Sequence, residues 1–248
     1  MKACNVQLVD FRISGTLIPM SHTPTDNVVL TESFEKDGLS EDYFFRMMSP
    51  QALKLSAPYH KEENAVLEDC LSREPRVAAM NFVAVGAGEL WALRQALAYT
   101  ERYTAIEPLA DLYLGDSIKE LVGMHDNISV VPKRFGETTP SDLHDGNSFF
   151  MFLFNIFAYI ENPIADINKL MKPGDILFIS TWMQTEAAKA VRKSYFDYLN
   201  EAERRVVIVP EDPAGLSKFD AFPFHELKEY KRHERFQGDI TDILTIYT

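Results

Sequence analysis

Short apolar runs alternate with amphipathic stretches from about residue 60 onward, which is the pattern of repeated strand–helix units. The apolar runs predict strands at residues 77–85, 103–106, 128–131, 148–154 and 175–181. The stretches beside them predict helices at residues 61–71, 89–100, 109–124, 163–171 and 185–203. Strands that are apolar on both faces and joined through helices predict a parallel sheet with helices on both sides.

The last 20 residues do not continue the strand–helix alternation. Residues 229–236 and 242–247 have strand-like patterns, and Gln237, Gly238 and Asp239 join them. A link this short permits only an antiparallel pair. The pattern therefore predicts an α/β domain over residues 61–248, with seven strands in three layers and an antiparallel last strand.

The first 60 residues are patterned differently. Two partly apolar segments, residues 6–13 and 28–31, flank turn signals and predict a β-hairpin, and residues 42–48 predict a short helix. Ser49 and Pro50 follow this helix. We interpret residues 1–60 as an N-terminal arm, which either covers a pocket or packs on the surface of the domain.

Charge and composition limit the kinds of partner and compartment that we expect for this chain. The 248 residues carry a net charge of −12, and a field of that sign repels a phosphate backbone, so nucleic acid is not an expected partner. The most apolar stretch, residues 149–160, is about half a membrane span and contains Asn155. The first residues lack the apolar core of a signal peptide, and two cysteines make no disulfide framework. We expect a cytoplasmic protein with no membrane contact, acting on a small molecule, and a homodimer as its assembly.

The ligand site of an open parallel sheet lies beyond the carboxyl ends of the strands. The first strand ends in Gly86, Ala87 and Gly88, which predict a tight turn close to a ligand. A dinucleotide site needs a further glycine at position 91, where the chain has Trp91, and Glu89 would repel a diphosphate. These two residues argue against a nicotinamide-dependent oxidoreductase, which we keep as an alternative.

Polar or aromatic residues follow the other strands as well. Glu107 ends the second strand and can accept hydrogen bonds from both hydroxyls of a ribose, unless it is only a surface acid. Arg134 and Phe135 follow the third strand, where an aromatic ring could stack on a base. Asn155 is the strongly polar residue at the end of the fourth strand, where a neutral amide can orient a ligand or cap a helix.

These features resemble the class I S-adenosylmethionine-dependent methyltransferases over residues 78–181. Residues 85–89 are similar to the glycine-rich first motif of that family, and Glu107 falls where the family has its ribose-binding acid. Residues 154–163, a helix and residues 170–175 resemble the family's fourth strand, the following helix and its "LKPGG" sequence. The resemblance implies a Rossmann-like sandwich and S-adenosylmethionine as the bound methyl donor.

The resemblance also assigns site residues. Those expected at the donor are Gly86, Ala87, Gly88, Glu89, Glu107, Pro108, Arg134, Phe135, Asn155, Ile156 and Phe157. In this family the acceptor usually meets the N-terminal arm and the loops after the fourth and fifth strands. That placement indicates His60 and Tyr159 as catalytic residues and Tyr43, Tyr59 and Trp182 as substrate contacts. No metal-binding motif is present, so no metal is expected.

Two alternatives use the same fold. Ala84 stands where the family often has an acid, and Leu90 stands where it usually has a third glycine, which leaves open a non-catalytic domain. Residues 85–90 also resemble the loops of enzymes that transfer an aminopropyl or aminobutyl group from the same donor, such as nicotianamine synthases.

Overall fold

The computed structural model describes residues 45–47, 49–88, 92–110, 120, 122–160, 162–201 and 219–248. The predicted hairpin lies outside these residues. Of the predicted helix at residues 42–48, residues 45–47 are described and are helical. None of the described helices is both long and apolar enough to cross a lipid bilayer.

The described residues form one seven-stranded sheet. Its strands are β1 (Asn81–Val85), β2 (Arg102–Ile106), β3 (Ile128–Val131), β4 (Ser148–Phe152), β5 (Ile176–Trp182), β6 (Arg232–Gln237) and β7 (Thr241–Tyr247). Their order across the sheet is β3-β2-β1-β4-β5-β7-β6. Strands β1 to β5 pair in parallel, whereas β7 is antiparallel to both β5 and β6. The predicted mixed sheet and its antiparallel last strand are confirmed.

Four α-helices are described over their whole length. They are α1 (Pro50–Arg73), α2 (Leu93–Leu97), α3 (Pro163–Leu170) and α4 (Glu186–Asn200). On one face of the sheet, α1 and α2 pack against a row of stacked rings formed by Phe82, Phe149 and Phe178. On the other face, α3 packs beside Phe152. The predicted three-layer arrangement is therefore confirmed.

Helix α1 begins eleven residues before the predicted helix at residues 61–71. The Ser49 hydroxyl accepts a hydrogen bond from the N–H of Ala52 at 3.2 Å, and Pro50 occupies the first turn, where no N–H is needed. Ser49 and Pro50 thus start this helix, a role that the sequence analysis did not give them. The expected domain start at residue 61 falls inside α1.

Two strands are shorter than predicted. Residues 77–79 belong to a 3-10 helix (Pro75–Ala79), so β1 starts only at Asn81. Strand β4 ends at Phe152 because Phe154 and Asn155 adopt positive φ angles of 49° and 63°, which a strand cannot contain.

Helix α1 holds the turn between β6 and β7 through Glu62. The Glu62 carboxylate accepts the backbone N–H groups of Asp239, Ile240 and Thr241 at distances from 2.9 to 3.3 Å, and also the Thr241 hydroxyl at 3.0 Å. The antiparallel pair is therefore tied to a helix that precedes it by about 170 residues in the chain.

We expect Glu62→Ala to lower the free energy of unfolding by roughly 2–6 kcal/mol, because the N–H groups of the buried residues Ile240 and Thr241 lose an acceptor at about 1–3 kcal/mol each. Urea unfolding followed by circular dichroism measures this change. Glu68→Ala, an exposed site on the same helix, is the control and should change little. Equal stability of the two variants would contradict the role given to Glu62.

Candidate active site

A two-glycine turn leaves the carboxyl end of β1. Gly86 and Gly88 have φ angles of +64° and +51°, and the N–H of Gly86 donates to the Ile106 carbonyl at 2.8 Å. A Cβ atom on Gly86 would lie 2.4 Å from Cγ1 of Ile156. Glycine is therefore required at position 86 by both backbone conformation and space.

Glu107 ties this turn to the end of β2. Its Oε2 accepts the N–H of Gly88 at 2.9 Å, and its Oε1 accepts the N–H of Leu109 at 3.0 Å. Only 6% of Glu107 is exposed, and this burial raises its pKa above 4.5 despite the two hydrogen bonds. Each oxygen keeps a second lone pair, so the carboxylate can accept further donors. Glu107 is not the surface acid that its position at a strand end also allowed.

The chain bends sharply after β4. The N–H of Asn155 donates to the Ser180 carbonyl at 3.1 Å, and its side chain is hydrogen-bonded to the Tyr159 hydroxyl. Burial raises the pKa of Tyr159 to about 12. Asn155 lies where the strand leaves the core, as predicted, and Ile156 brings the same turn against Gly86.

Two aromatic residues predicted at the donor lie in the core instead of lining an open cleft. Phe135 and Phe157 are buried, and both pack edge-to-face on Phe152, at ring distances of 5.1 and 5.4 Å. Arg134 precedes the 3-10 helix Phe135–Glu137, and its N–H donates to Glu137 at 3.1 Å. A contact of these residues with a ligand stays a prediction.

The predicted acceptor residues converge from distant parts of the chain. Tyr59 lies 4.4 Å from Trp182 and 5.0 Å from Phe154, measured between ring centroids. His60 stacks on Phe154 at 4.6 Å and has a side chain that is 21% exposed, whereas Tyr59 and Trp182 are buried. We call Tyr59, His60, Phe154 and Trp182 the aromatic cluster. Tyr43 and Glu89, which were also predicted in the site, lie outside the described residues.

The sequence analysis missed a polar chain behind this cluster. Tyr59 donates to the Ser180 hydroxyl at 3.0 Å, and Ser180 donates to the carboxylate of Glu63. Desolvation, with a smaller contribution from the charge of Glu63, raises the pKa of Tyr59 well above its ordinary value. Positions 59 and 60 precede position 63 by four and three residues, so each is a neighbour of Glu63 on a helix. The sequence analysis missed this spacing because its predicted helix started at residue 61.

An open groove of about 810 Å³ lies elsewhere, between α1 and the strands β6 and β7. Its lining includes Val66, Cys70 and Phe236 but none of the residues predicted in the site. The strand ends, where chemically distinct residues converge, are the better candidate for a functional site. Within the described part of the chain, no group of three or more His, Cys, Asp or Glu side chains is arranged to hold a metal ion.

The free energy of unfolding should fall by at least about 1 kcal/mol in Gly86→Ala, because alanine is disfavoured at positive φ. The clash with Ile156 adds to this loss, so Ile156→Ala in the same chain should recover the steric part only. Gly123→Ala is a matched control, since nothing lies within 4 Å of a Cβ at that position. Thermal or urea unfolding of the three variants gives the comparison, and a Gly86→Ala protein as stable as Gly123→Ala would contradict it.

The raised pKa of Glu107 predicts a pH dependence. The folded state holds the Glu107 proton more tightly than the unfolded chain, so the contribution of this group is most favourable below about pH 4 and is lost as the pH rises through the folded pKa. The free energy of unfolding of the wild type, minus that of Glu107→Gln, should therefore decrease from pH 4 upward. Urea titrations at several pH values measure it, and a flat or rising difference would be inconsistent with the raised pKa.

Comparisons with known proteins return structural neighbours only. No protein-family model matches the sequence, and no curated protein matches it. The mitomycin 7-O-methyltransferase MmcR is similar at 18% identity and a TM-score of 0.46, over 87% of this chain and 62% of that one. The N-methyltransferase NodS from Bradyrhizobium japonicum WM9 is similar at 10% identity and a TM-score of 0.38, over 74% and 96%. A 16S rRNA (adenine(1408)-N(1))-methyltransferase from Catenulisporales acidiphilia is similar at 14% identity and a TM-score of 0.41, over 72% and 92%.

Proposed function

We propose that this chain transfers the methyl group of S-adenosylmethionine to a small molecule. The proposal rests mainly on one hydrogen bond: the N–H of Gly88, in the turn after β1, donates to the carboxyl group of Glu107, which follows β2. These are the two positions at which the sequence resembles the ribose-binding acid and the glycine-rich motif of class I methyltransferases. The closing antiparallel pair, with β7 beside β6, also agrees with that resemblance.

The residues at the strand ends fit a nucleoside donor. The hydroxyls of a ribose need acceptors, and Glu107 retains a lone pair on each oxygen. Gly86 and Gly88 carry no Cβ atoms, and Ile156 offers an apolar surface beside Gly86. Glu107, the two glycines, Asn155 and Ile156 would hold the donor. Bound S-adenosylmethionine would supply an electrophilic methyl group on a sulfonium.

The aromatic cluster supports a small-molecule acceptor. Its rings come from α1, the turn after β4 and the end of β5. The partly exposed rings of His60 and Phe154 would contact the acceptor, and the buried rings of Tyr59 and Trp182 support them. In this proposal, the cluster positions the acceptor and excludes water from it. We assign His60, whose side chain is 21% exposed, as the residue that would receive a proton from the acceptor. The net charge of −12 disfavours a nucleic-acid acceptor.

Calorimetric titration with S-adenosylmethionine, S-adenosylhomocysteine and NAD tests the donor. We expect both sulfur nucleotides to bind and NAD not to bind. Glu107→Ala should weaken S-adenosylmethionine binding by about 1–3 kcal/mol, the range for an unmet hydrogen-bonding pair. Glu101→Ala, an exposed acid just before the opposite end of β2, is the control and should bind normally.

The outcomes separate the alternatives. If neither sulfur nucleotide binds below millimolar concentration, the proposal fails and a non-catalytic domain is favoured. Tight binding of NAD would instead favour an oxidoreductase. Product analysis then identifies the transferred group, since methyl transfer leaves S-adenosylhomocysteine whereas aminopropyl transfer leaves methylthioadenosine.

A further inference from the structure

Helix α4 lies against the carboxyl ends of the strands at which the site is placed. Its residues Tyr195 and Leu199 belong to one buried apolar cluster with Leu109, which follows Glu107 by two residues. The Tyr195 ring also packs edge-to-face on Phe154, in the turn after β4, at 5.4 Å between ring centroids. The second half of α4 therefore forms one side of the candidate site.

Arg192 places a positive charge on this side of the site. It precedes Tyr195 by three residues and Phe196 by four, so both are its neighbours on the helix. Its guanidinium carbon lies 5.9 Å from the centroid of the Phe196 ring. Burial raises the pKa of Tyr159, and the positive charge of Arg192 acts in the opposite direction. The guanidinium is thus close to the turn after β4, which contains Tyr159.

The guanidinium of Arg192 has no counterion in the part of the chain that the structure describes. No carboxylate there forms an ion pair with it, and no oxygen there accepts a hydrogen bond from it. Two other cations of α4 do have counterions: Lys189 pairs with Glu186 at 2.8 Å. Lys193 pairs with Asp197. Both lysines are exposed, whereas Arg192 is partly buried beside aromatic rings. A partly buried cation without a counterion is costly, and a bound anion would offset that cost.

We propose that Arg192 binds a carboxylate group of the methyl acceptor. A guanidinium presents five N–H donors in a planar fork, which can bind both oxygens of a carboxylate at once. A carboxylate carries one negative charge and is neutralised by one guanidinium, whereas a phosphate monoester carries nearly two at neutral pH. The partly exposed rings of Phe154 and Phe196 both pack on Tyr195 and offer apolar contacts to the rest of the molecule. The acceptor class is therefore a carboxylic acid with an apolar or aromatic body.

This inference deepens the proposed function and rests on it, because it takes the ligand of Arg192 to be the methyl acceptor. Arg192 acts here as a specificity residue that selects and orients the acceptor. No proton or methyl group moves to or from the guanidinium, which stays charged at every pH at which the protein is folded. Binding of a carboxylate can therefore be tested separately from the transfer reaction.

Binding of a carboxylate can be measured on the whole chain without the donor. Benzoate is the probe, and benzamide, which has the same ring without the charge, is its matched control at constant ionic strength. ¹H–¹⁵N spectra report the Nε–H groups of arginine side chains, and Arg192→Gln identifies the Arg192 signal by its loss. We expect benzoate to move this signal in a saturable way at up to about 10 mM, the range of weak ligands, whereas benzamide leaves it in place.

Three substitutions test whether the guanidinium itself is responsible. Arg192→Gln should raise the dissociation constant of benzoate about tenfold or more, which is the loss expected for one charge-assisted contact. Arg192→Lys keeps the charge without the planar fork and should give an intermediate loss. Lys189→Gln removes an exposed cation of the same helix and should bind benzoate as the wild type does. Ligand-observed saturation-transfer spectra measure all four proteins in the same way.

Two results would overturn the proposal. One is a wild-type Arg192 signal that does not respond to benzoate or that responds equally to benzamide, and this result needs no variant to fold. The other is a folded Arg192→Gln protein that binds benzoate as tightly as Lys189→Gln does.

Calorimetry with S-adenosylmethionine on the same proteins separates this inference from the proposed function. Arg192 is not among the residues assigned to the donor, so Arg192→Gln should bind S-adenosylmethionine normally. A wild type that fails to bind the donor would defeat the proposed function, and with it the role of the ligand as a methyl acceptor. The benzoate titration alone decides whether Arg192 binds a carboxylate. Normal donor affinity and weakened benzoate binding in Arg192→Gln is the result that supports both.

Discussion

The end of β4 depends on one buried acidic side chain, Glu63. Two consecutive residues after this strand, Phe154 and Asn155, have positive φ angles, and such conformations cost roughly 1–3 kcal/mol each outside glycine. Glu63 offsets part of that cost by accepting the N–H of Phe154 at 2.7 Å, in a buried region where this group would otherwise be unsatisfied. The turn, the ring that stacks on His60 and the placement of Asn155 all depend on this contact.

Two consecutive residues of helix α1 therefore bind two different parts of the sheet. Glu62 satisfies the backbone between β6 and β7, and Glu63 satisfies the backbone after β4 and the hydroxyl of β5. Both carboxyl groups accept backbone N–H groups that lie at or beyond strand ends. The helix is thus a structural part of the sheet's carboxyl edge, and residues 59 and 60 bring the aromatic cluster to that edge.

The sequence predicted the parts of the fold that follow from local pattern. We could predict strands that are apolar on both faces, such as β5, because a continuous apolar run shows their burial. We could predict the antiparallel pair because the link before β7 is short. The start of α1 was missed because Ser49 and Pro50 resemble a helix end as much as a helix start. Glu63 was missed for another reason: a lone acid on a helix reads as surface, and its partners Phe154 and Ser180 are more than 90 residues away.

The position of β7 has a consequence for how the chain is made. This strand inserts between β5 and β6, so during synthesis β5 has an open edge until residues 241–247 emerge from the ribosome. An apolar strand with an unpaired edge is a template for association with other chains. The Glu62 carboxyl oxygens also cannot accept their hydrogen bonds until residues 239–241 have been synthesised. Nascent chains of this protein should thus depend on chaperone protection late in synthesis, up to the point at which the sheet closes around β7.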